Sequence, residues 1–197
     1  MTATAELGLR ERKKAATRQA LHEAAMRLAM AHGADRVTVE AIADEVGVSR
    51  RTFSNYFANK EEALLHADHQ RMRTLIDAVR ARPDTESPWS ALTNAAGAVF
   101  SPLGDLDPGW VAQGRLVRKH PTLAAAQVQA FAALERELEA EVAARMTNPS
   151  PVRARLTAAT FLAALRVSAQ IWLERPPGTS LWGLVEESLE EAGAGFR

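Results

Sequence analysis

The chain has 197 residues, 47% of them hydrophobic and 24% charged, a balance that supports one or two folded cores and excludes a disordered or collagen-like chain. It contains no cysteine, which removes disulfides, thiolate metal sites and cysteine nucleophiles together and fits a reducing compartment. The 24 basic and 24 acidic side chains cancel in sum but not in place, with a basic arm at Arg10, Arg12, Lys13, Lys14 and Arg18 and an acidic end at Glu186, Glu187, Glu190 and Glu191. The longest uncharged stretch, Ser87 to Gly104, is broken by Pro88, Asn94, Gly97 and Pro102, short of the ~20 apolar residues a membrane span needs. The first residues also lack the apolar core of a signal peptide, so a cytoplasmic protein without a membrane partner is expected.

Alanine and leucine recur at helical spacing and no segment alternates as a strand would, so the fold class predicted is all-α. A first helix is expected from Leu9 to His32, with Leu21, Ala24, Ala25, Leu28 and Ala31 on one stripe and Gly33 as a left-handed cap. Thr38 caps a short helix from Val39 to Val46, Gly47 breaks it, and Ser49 caps a second one through Tyr56. Asn59 with Glu62 forms a capping box that starts a helix toward Arg80. The turn-rich Ala81 to Pro88 segment divides the chain into modules of residues 1–82 and 83–197. Beyond it, helices are expected over Trp89–Phe100, Trp110–Lys119, Pro121–Met146, Pro151–Glu174 and Ser180–Ala192, with a stop at Arg175–Gly178.

The most informative spacing is Ile42-Ala43-x-x-Val46-Gly47-Val48 followed by Phe53 and Phe57. Two short helices can cross steeply only if the contact residue is small and the turn tolerates positive φ, and Ala43 and Gly47 meet those needs. This is helix-turn-helix spacing, in which the second helix is offered to a DNA major groove. That helix carries Ser49, Arg50, Arg51, Thr52, Ser54, Asn55 and Tyr56, all donors or acceptors, with Phe53 alone predicted to turn inward. Arginine can bond guanine with two parallel N–H groups, while hydroxyls and amides can hold phosphates. Lys60, in the first turn of the next helix, sits badly for that helix dipole and well beside a phosphate.

The stretch from Val37 to Glu61, with Val48-Ser49, Thr52-Phe53, Tyr56-Phe57 and Lys60 in register, resembles the N-terminal domain of TetR-family transcriptional regulators. The resemblance implies a three-helix DNA-binding domain in residues 1–82 followed by a helical ligand-binding and dimerisation domain in residues 83–197. It implies a repressor that binds a double-stranded DNA operator as a homodimer through its last two helices and is released by a small-molecule effector. By position, Arg50 and Arg51 would face bases, and Thr38, Ser49, Thr52, Tyr56 and Lys60 would hold phosphates. Ser54 departs from the family, many members of which carry an aromatic residue there, and Asn55 could compensate by a hydrogen bond. The basic arm resembles family extensions that reach a minor groove.

In the second module the Pro151 helix carries Leu156, Phe161, Leu162, Leu165, Val167, Ile171 and Trp172 on more than one face, and the last helix adds Leu181, Trp182, Leu184, Val185 and Leu189. A second subunit would cover that surplus. Phe100, Trp110, Phe131, Phe161 and Leu165 are candidates to line an apolar ligand pocket, with Gln127 or Gln170 orienting the ligand. His66 and His69, three apart on a helix, raise the alternative of a metal-dependent sensor or enzyme. No phosphate loop or nucleophile elbow is present, so no catalytic residue, cofactor or metal is expected.

Overall fold

A computed structural model describes residues 2–103, 108–176 and 179–195, with side chains described for residues 8–102, 109–176 and 179–195. Among these residues the chain is helical with no strand. Ten helices follow in order: α1 (Thr2–His32), α2 (Val39–Val46), α3 (Arg50–Ser54), α4 (Lys60–Leu64), α5 (His66–Arg80), α6 (Pro88–Phe100), α7 (Pro108–Lys119), α8 (Pro121–Ala144), α9 (Pro151–Glu174) and α10 (Leu181–Gly193). A 3₁₀ turn, Ala34–Arg36, joins α1 to α2.

Local chemistry accounts for most boundaries. Thr38, Ser49, Ser87, Ser150 and Ser180 each accept a backbone N–H at the start of a helix. Gly33 ends α1 at φ 86° and ψ 145°, a conformation open to glycine but outside the left-handed helical region expected of it. Asn59 caps α4, and Glu62 reaches back to the N–H of Ala58 at 2.6 Å instead of that of Asn59. The single helix expected from there to Arg80 is broken at Leu65 (φ −90°, ψ 4°), leaving α4 only one turn long before α5 begins. Pro177 and Gly178, within the predicted stop after α9, lie outside the described residues.

The helices form two compact units that interleave along the chain. The first comprises residues 1–67 and 112–127, the second residues 68–111 and 128–197, so the Ala81–Pro88 turn is internal to the second unit. The first unit is built on Leu21, Ala24 and Ala25 of α1, Ile42 and Ala43 of α2, Phe53 of α3, Phe57, and Leu64 of α4, joined by Leu116 and Leu123. Two polar side chains tie in the later segment: Gln113, 1% exposed, donates Nε2–H to the Leu64 carbonyl at 3.0 Å. His120 accepts the Ala34 N–H at Nε2 and faces the Asp35 carboxylate with Nδ1 at 3.1 Å, an arrangement that places the ring proton on Nδ1.

The second unit packs α5, α6, α8, α9 and α10 around Leu75, Val79, Trp89, Leu92, Leu138, Phe161, Val185 and Leu189. Arg145, almost wholly covered, donates to the carbonyls of Val79 (2.5 Å) and Arg82 (3.2 Å) and so caps the C-terminal end of α5, where a cation is favoured. In the turn that follows, Arg82 hydrogen-bonds Glu86 and holds its carboxyl below the usual carboxylate range, with a second bond from Asn94. Because the folded-state value is depressed, this pairing contributes above the ordinary carboxylate pKa and is lost as pH falls through the depressed one.

Trp89 is placed by a glycine. Its indole Nε1 lies where a Cβ on Gly193 would be, so α10 can approach only because that position has no side chain. Gly193→Ala is therefore expected to destabilise the protein by about 1–3 kcal/mol despite its better helix propensity, a result that thermal or urea unfolding would read directly; an unchanged midpoint contradicts the packing argument.

One face of α9 is unusual. Ala154, Ala158, Phe161, Leu165 and Trp172 enter the core, whereas Val152, Leu156 and Val167 remain 70%, 54% and 40% exposed. Among the described residues α9 alone has the length and mean hydropathy, 1.4, of a membrane span. It does not stand out as an uncharged run because Arg155 and Arg166 interrupt it, and its buried face identifies it as a core helix of this unit.

Candidate nucleic-acid interface

In the first unit, α2 and α3 are held at a turn that only a few residues could make. Gly47 adopts φ 72° and ψ 32°, and its N–H reaches Ala43 and Asp44, so α2 ends with its carbonyls satisfied. The Val48 N–H returns to the Ala43 carbonyl at 2.9 Å. Ser49 then caps α3 through the Thr52 N–H, and its hydroxyl also bonds the Thr52 hydroxyl at 2.9 Å. Phe53 is 1% exposed and meets Phe57 with ring centroids 5.7 Å apart.

With Phe53 turned inward, the remaining side chains of α3 and its ends face outward. Ser49, Arg50, Arg51, Ser54 and Asn55 are exposed, and Thr52 and Tyr56 half-buried. Thr38 is exposed at the start of α2. Arg18 of α1 stacks over the Tyr56 ring at 5.8 Å from its centroid, holding that phenol against the same face. Arg50 pairs with Glu40 of α2 at 3.0 Å, and its carbonyl accepts the Ser54 hydroxyl. The predicted DNA-facing residues are thus exposed or half-buried, with one difference in what they contact.

Lys60 has turned inward. Its ammonium donates to the carbonyls of Ala34, Asp35 and Val37 at 3.0, 3.3 and 3.0 Å. Three donors meet three acceptors, which leaves no N–H for a phosphate in this arrangement. The side chain works as a clasp between α4 and the turn after α1. No sequence pattern announced it, because its partners are backbone atoms more than twenty residues away.

His66 and His69 do not form a surface pair. His66 is buried, with its ring edge-on to Phe57 (5.3 Å) and to His22 (5.7 Å) in the first unit, while His22 Nδ1 donates to the Ala63 carbonyl at 2.8 Å. His69 belongs to the second unit. Among the described residues no three potential metal ligands gather.

The second unit gathers aromatic residues. Trp110 stacks on Phe100 at 6.2 Å and meets Trp172 at 5.5 Å, and the Trp172 indole N–H donates to the Thr179 carbonyl. Phe161 is fully buried and edge-on to Trp89, Leu165 is core, and Phe131 is half-buried against that core. Gln170 is exposed, and Gln127 belongs to the first unit. A cavity of about 530 Å³ in this unit is lined by Ser87, Trp89, Ser90, Thr93, Asn94, Leu189 and Glu190, none of them among the predicted pocket residues. Sequence reasoning missed Arg71, whose guanidinium lies 4.6 Å from the Trp110 ring centroid and pairs with Asp68 at 2.9 Å, both side chains being largely covered. Its i, i+3 acid and the apolar Met72 beside it were the available signal.

Residues 21–67, which hold this interface, match the family described as bacterial regulatory proteins, tetR family, and residues 86–197 match the MftR C-terminal domain. The HTH-type transcriptional regulator TcmR of Streptomyces glaucescens is 34% identical over 176 residues, covering 85% of this chain and 78% of that protein. Among solved structures, a SmeT–triclosan complex aligns with a TM-score of 0.64 at 19% identity over 91% of each chain. Thermus thermophilus FadR in complex with lauroyl-CoA, a TetR-family transcriptional repressor, aligns at 0.59 and 23% identity, over 91% of this chain and 95% of that one. Both share the fold. The chain belongs to the TetR family of bacterial transcriptional regulators, which are DNA-binding proteins and not enzymes.

Proposed function

We propose that this chain is a homodimeric repressor whose residues 1–82 read an operator and whose residues 83–197 bind a small apolar effector and the second subunit. The observation that carries the DNA reading is the surface of α3, where Ser49, Arg50, Arg51, Ser54 and Asn55 are exposed and only Phe53 is withdrawn. Arg50 and Arg51 contact bases, while Thr38, Ser49, Thr52 and Tyr56 position the helix on phosphates. A duplex partner implies a cytoplasmic location.

The dimer reading is supported by α9. Val152, Leu156 and Val167 are too exposed for a helix otherwise devoted to a core, and a second copy laid along α9 and α10 would cover them. It would also set two recognition helices about one DNA turn, ~34 Å, apart. For the effector, the Phe100–Trp110–Trp172 group of residues 83–197 offers apolar area, and Arg71, which precedes residue 83 but belongs to the same compact unit, adds a polar handle. SmeT in complex with triclosan and FadR in complex with lauroyl-CoA hold small molecules on the same fold. Effector binding acts by favouring a subunit arrangement that mismatches the half-site spacing, by no more than its differential affinity for the two states.

Selection from a random duplex library, followed by displacement of the bound DNA with small-molecule extracts, tests the whole reading. A two-fold-related site is expected, with binding that weakens steeply as salt rises. Arg51→Ala is expected to relax base preference at one position of each half-site by about 1–3 kcal/mol, measured by competition with singly altered duplexes. If Arg51→Ala and Arg50→Ala both keep the wild-type preference, the base-reading assignment is wrong.

A further inference from the structure

The two arginines on α3 are not equivalent. Arg50 Nη1 lies 3.0 Å from the Glu40 carboxylate, whereas among the described residues Arg51 has no acid within bonding distance. Glu40 sits in the first turn of α2, where a carboxylate suits the helix dipole, yet it does not serve as the cap. Thr38 does that, and the Glu40 side chain extends across to the neighbouring helix. A negative charge on a rim that meets phosphates weakens non-specific attraction, so its placement opposite one arginine calls for a different account.

We propose that Glu40 is a specificity-determining positioning residue that aims Arg50 at a base. This rests on the DNA-binding reading above. A guanidinium has five N–H donors, and an ion pair made on its Nη1 side with Glu40 leaves the Nε–Nη2 edge free for the two acceptors of guanine. The pair is close to neutral, so Arg50 gains little from phosphates and its contribution appears as base discrimination. In the free protein Glu40 and Arg50 are 55% and 73% exposed, and such a pair is weakly held in water. On a duplex that excludes water the same contact strengthens and sets the fork. Arg51, unpaired, contributes general attraction as well as its own contact.

The test uses the full chain and its selected site, with Glu40→Gln, Arg50→Ala and the double variant measured against duplexes altered at each position and across a salt series. Glu40→Gln is expected to reduce discrimination roughly three- to tenfold at the position where Arg50→Ala abolishes it, and to add nothing in the double variant. It is also expected to bind random duplex more tightly and with a steeper salt dependence, since one repelling charge is gone. Arg50→Lys, which keeps the charge without the fork, is expected to lose the same preference and guards against a folding artefact, as do equal thermal midpoints. A Glu40→Gln profile identical to the wild type, or altered at another position than Arg50→Ala alters, overturns the proposal. A wild-type chain that selects no sequence overturns the DNA reading itself, and is recognised because Arg51→Ala then also changes nothing.

Discussion

Phe53→Ala is expected to remove about 3–5 kcal/mol of stability from the first unit, and with it sequence-selective DNA binding. Phe53 is 1% exposed, and it alone anchors the five residues of α3 to the core formed by Ile42, Ala43 and Phe57. A helix of that length has no independent stability in water. Truncating the ring leaves a cavity that Ile42 and Phe57 cannot fill without moving the turn at Gly47, and the loss is a large part of what a domain of this size has to spare. Urea unfolding followed by helical circular dichroism should show the lowered midpoint, and Phe53→Leu, which keeps most of the volume, should recover most of it. A Phe53→Ala protein that retains operator preference would show that α3 is held by something other than this ring.

Lys60→Met separates two roles for one side chain. The ammonium bridges three carbonyls of the 33–37 turn and α4, and removing it leaves partly covered acceptors short of a charged donor. A destabilisation of about 2–3 kcal/mol is expected, with weaker DNA binding because α4 loses its tie to the turn that leads into α2. The salt dependence distinguishes this from a phosphate contact. With Lys60 as an internal clasp, the slope of log affinity against log salt stays at its wild-type value, whereas loss of a phosphate contact lowers it by about one. A reduced slope with unchanged stability would return Lys60 to the DNA face.

Features of this chain differ in how far along it their contacts reach. The caps at Thr38, Ser49 and Asn59 bond N–H groups three residues ahead, so the residue types alone are informative. The break at Leu65 is different. Asn59, Glu62 and the apolar spacing beyond them are as compatible with one continuous helix, and the separation of α4 from α5 follows from how Leu64, Leu65 and His66 enter a core shared with His22 and Phe57. The pocket candidates show the same limit. An apolar side chain on a helix can be recognised as inward-facing, but Phe161 as solid core and Trp110 as part of an aromatic group beside a covered Arg71–Asp68 pair differ only in their neighbours.

By itself the amino-acid order determined the all-helical class, the helix-turn-helix at residues 38–60 and the inward turn of Phe53, because capping, glycine conformation and the 3.6-residue period act within a few residues. Tertiary structure alone decided that residues 112–127 complete the first unit through Gln113 and His120, that Lys60 clasps distant carbonyls, and that Glu40 holds Arg50 while Arg51 stands apart. Those contacts join atoms far apart in the chain, and their energies depend on geometry and burial that no local pattern encodes.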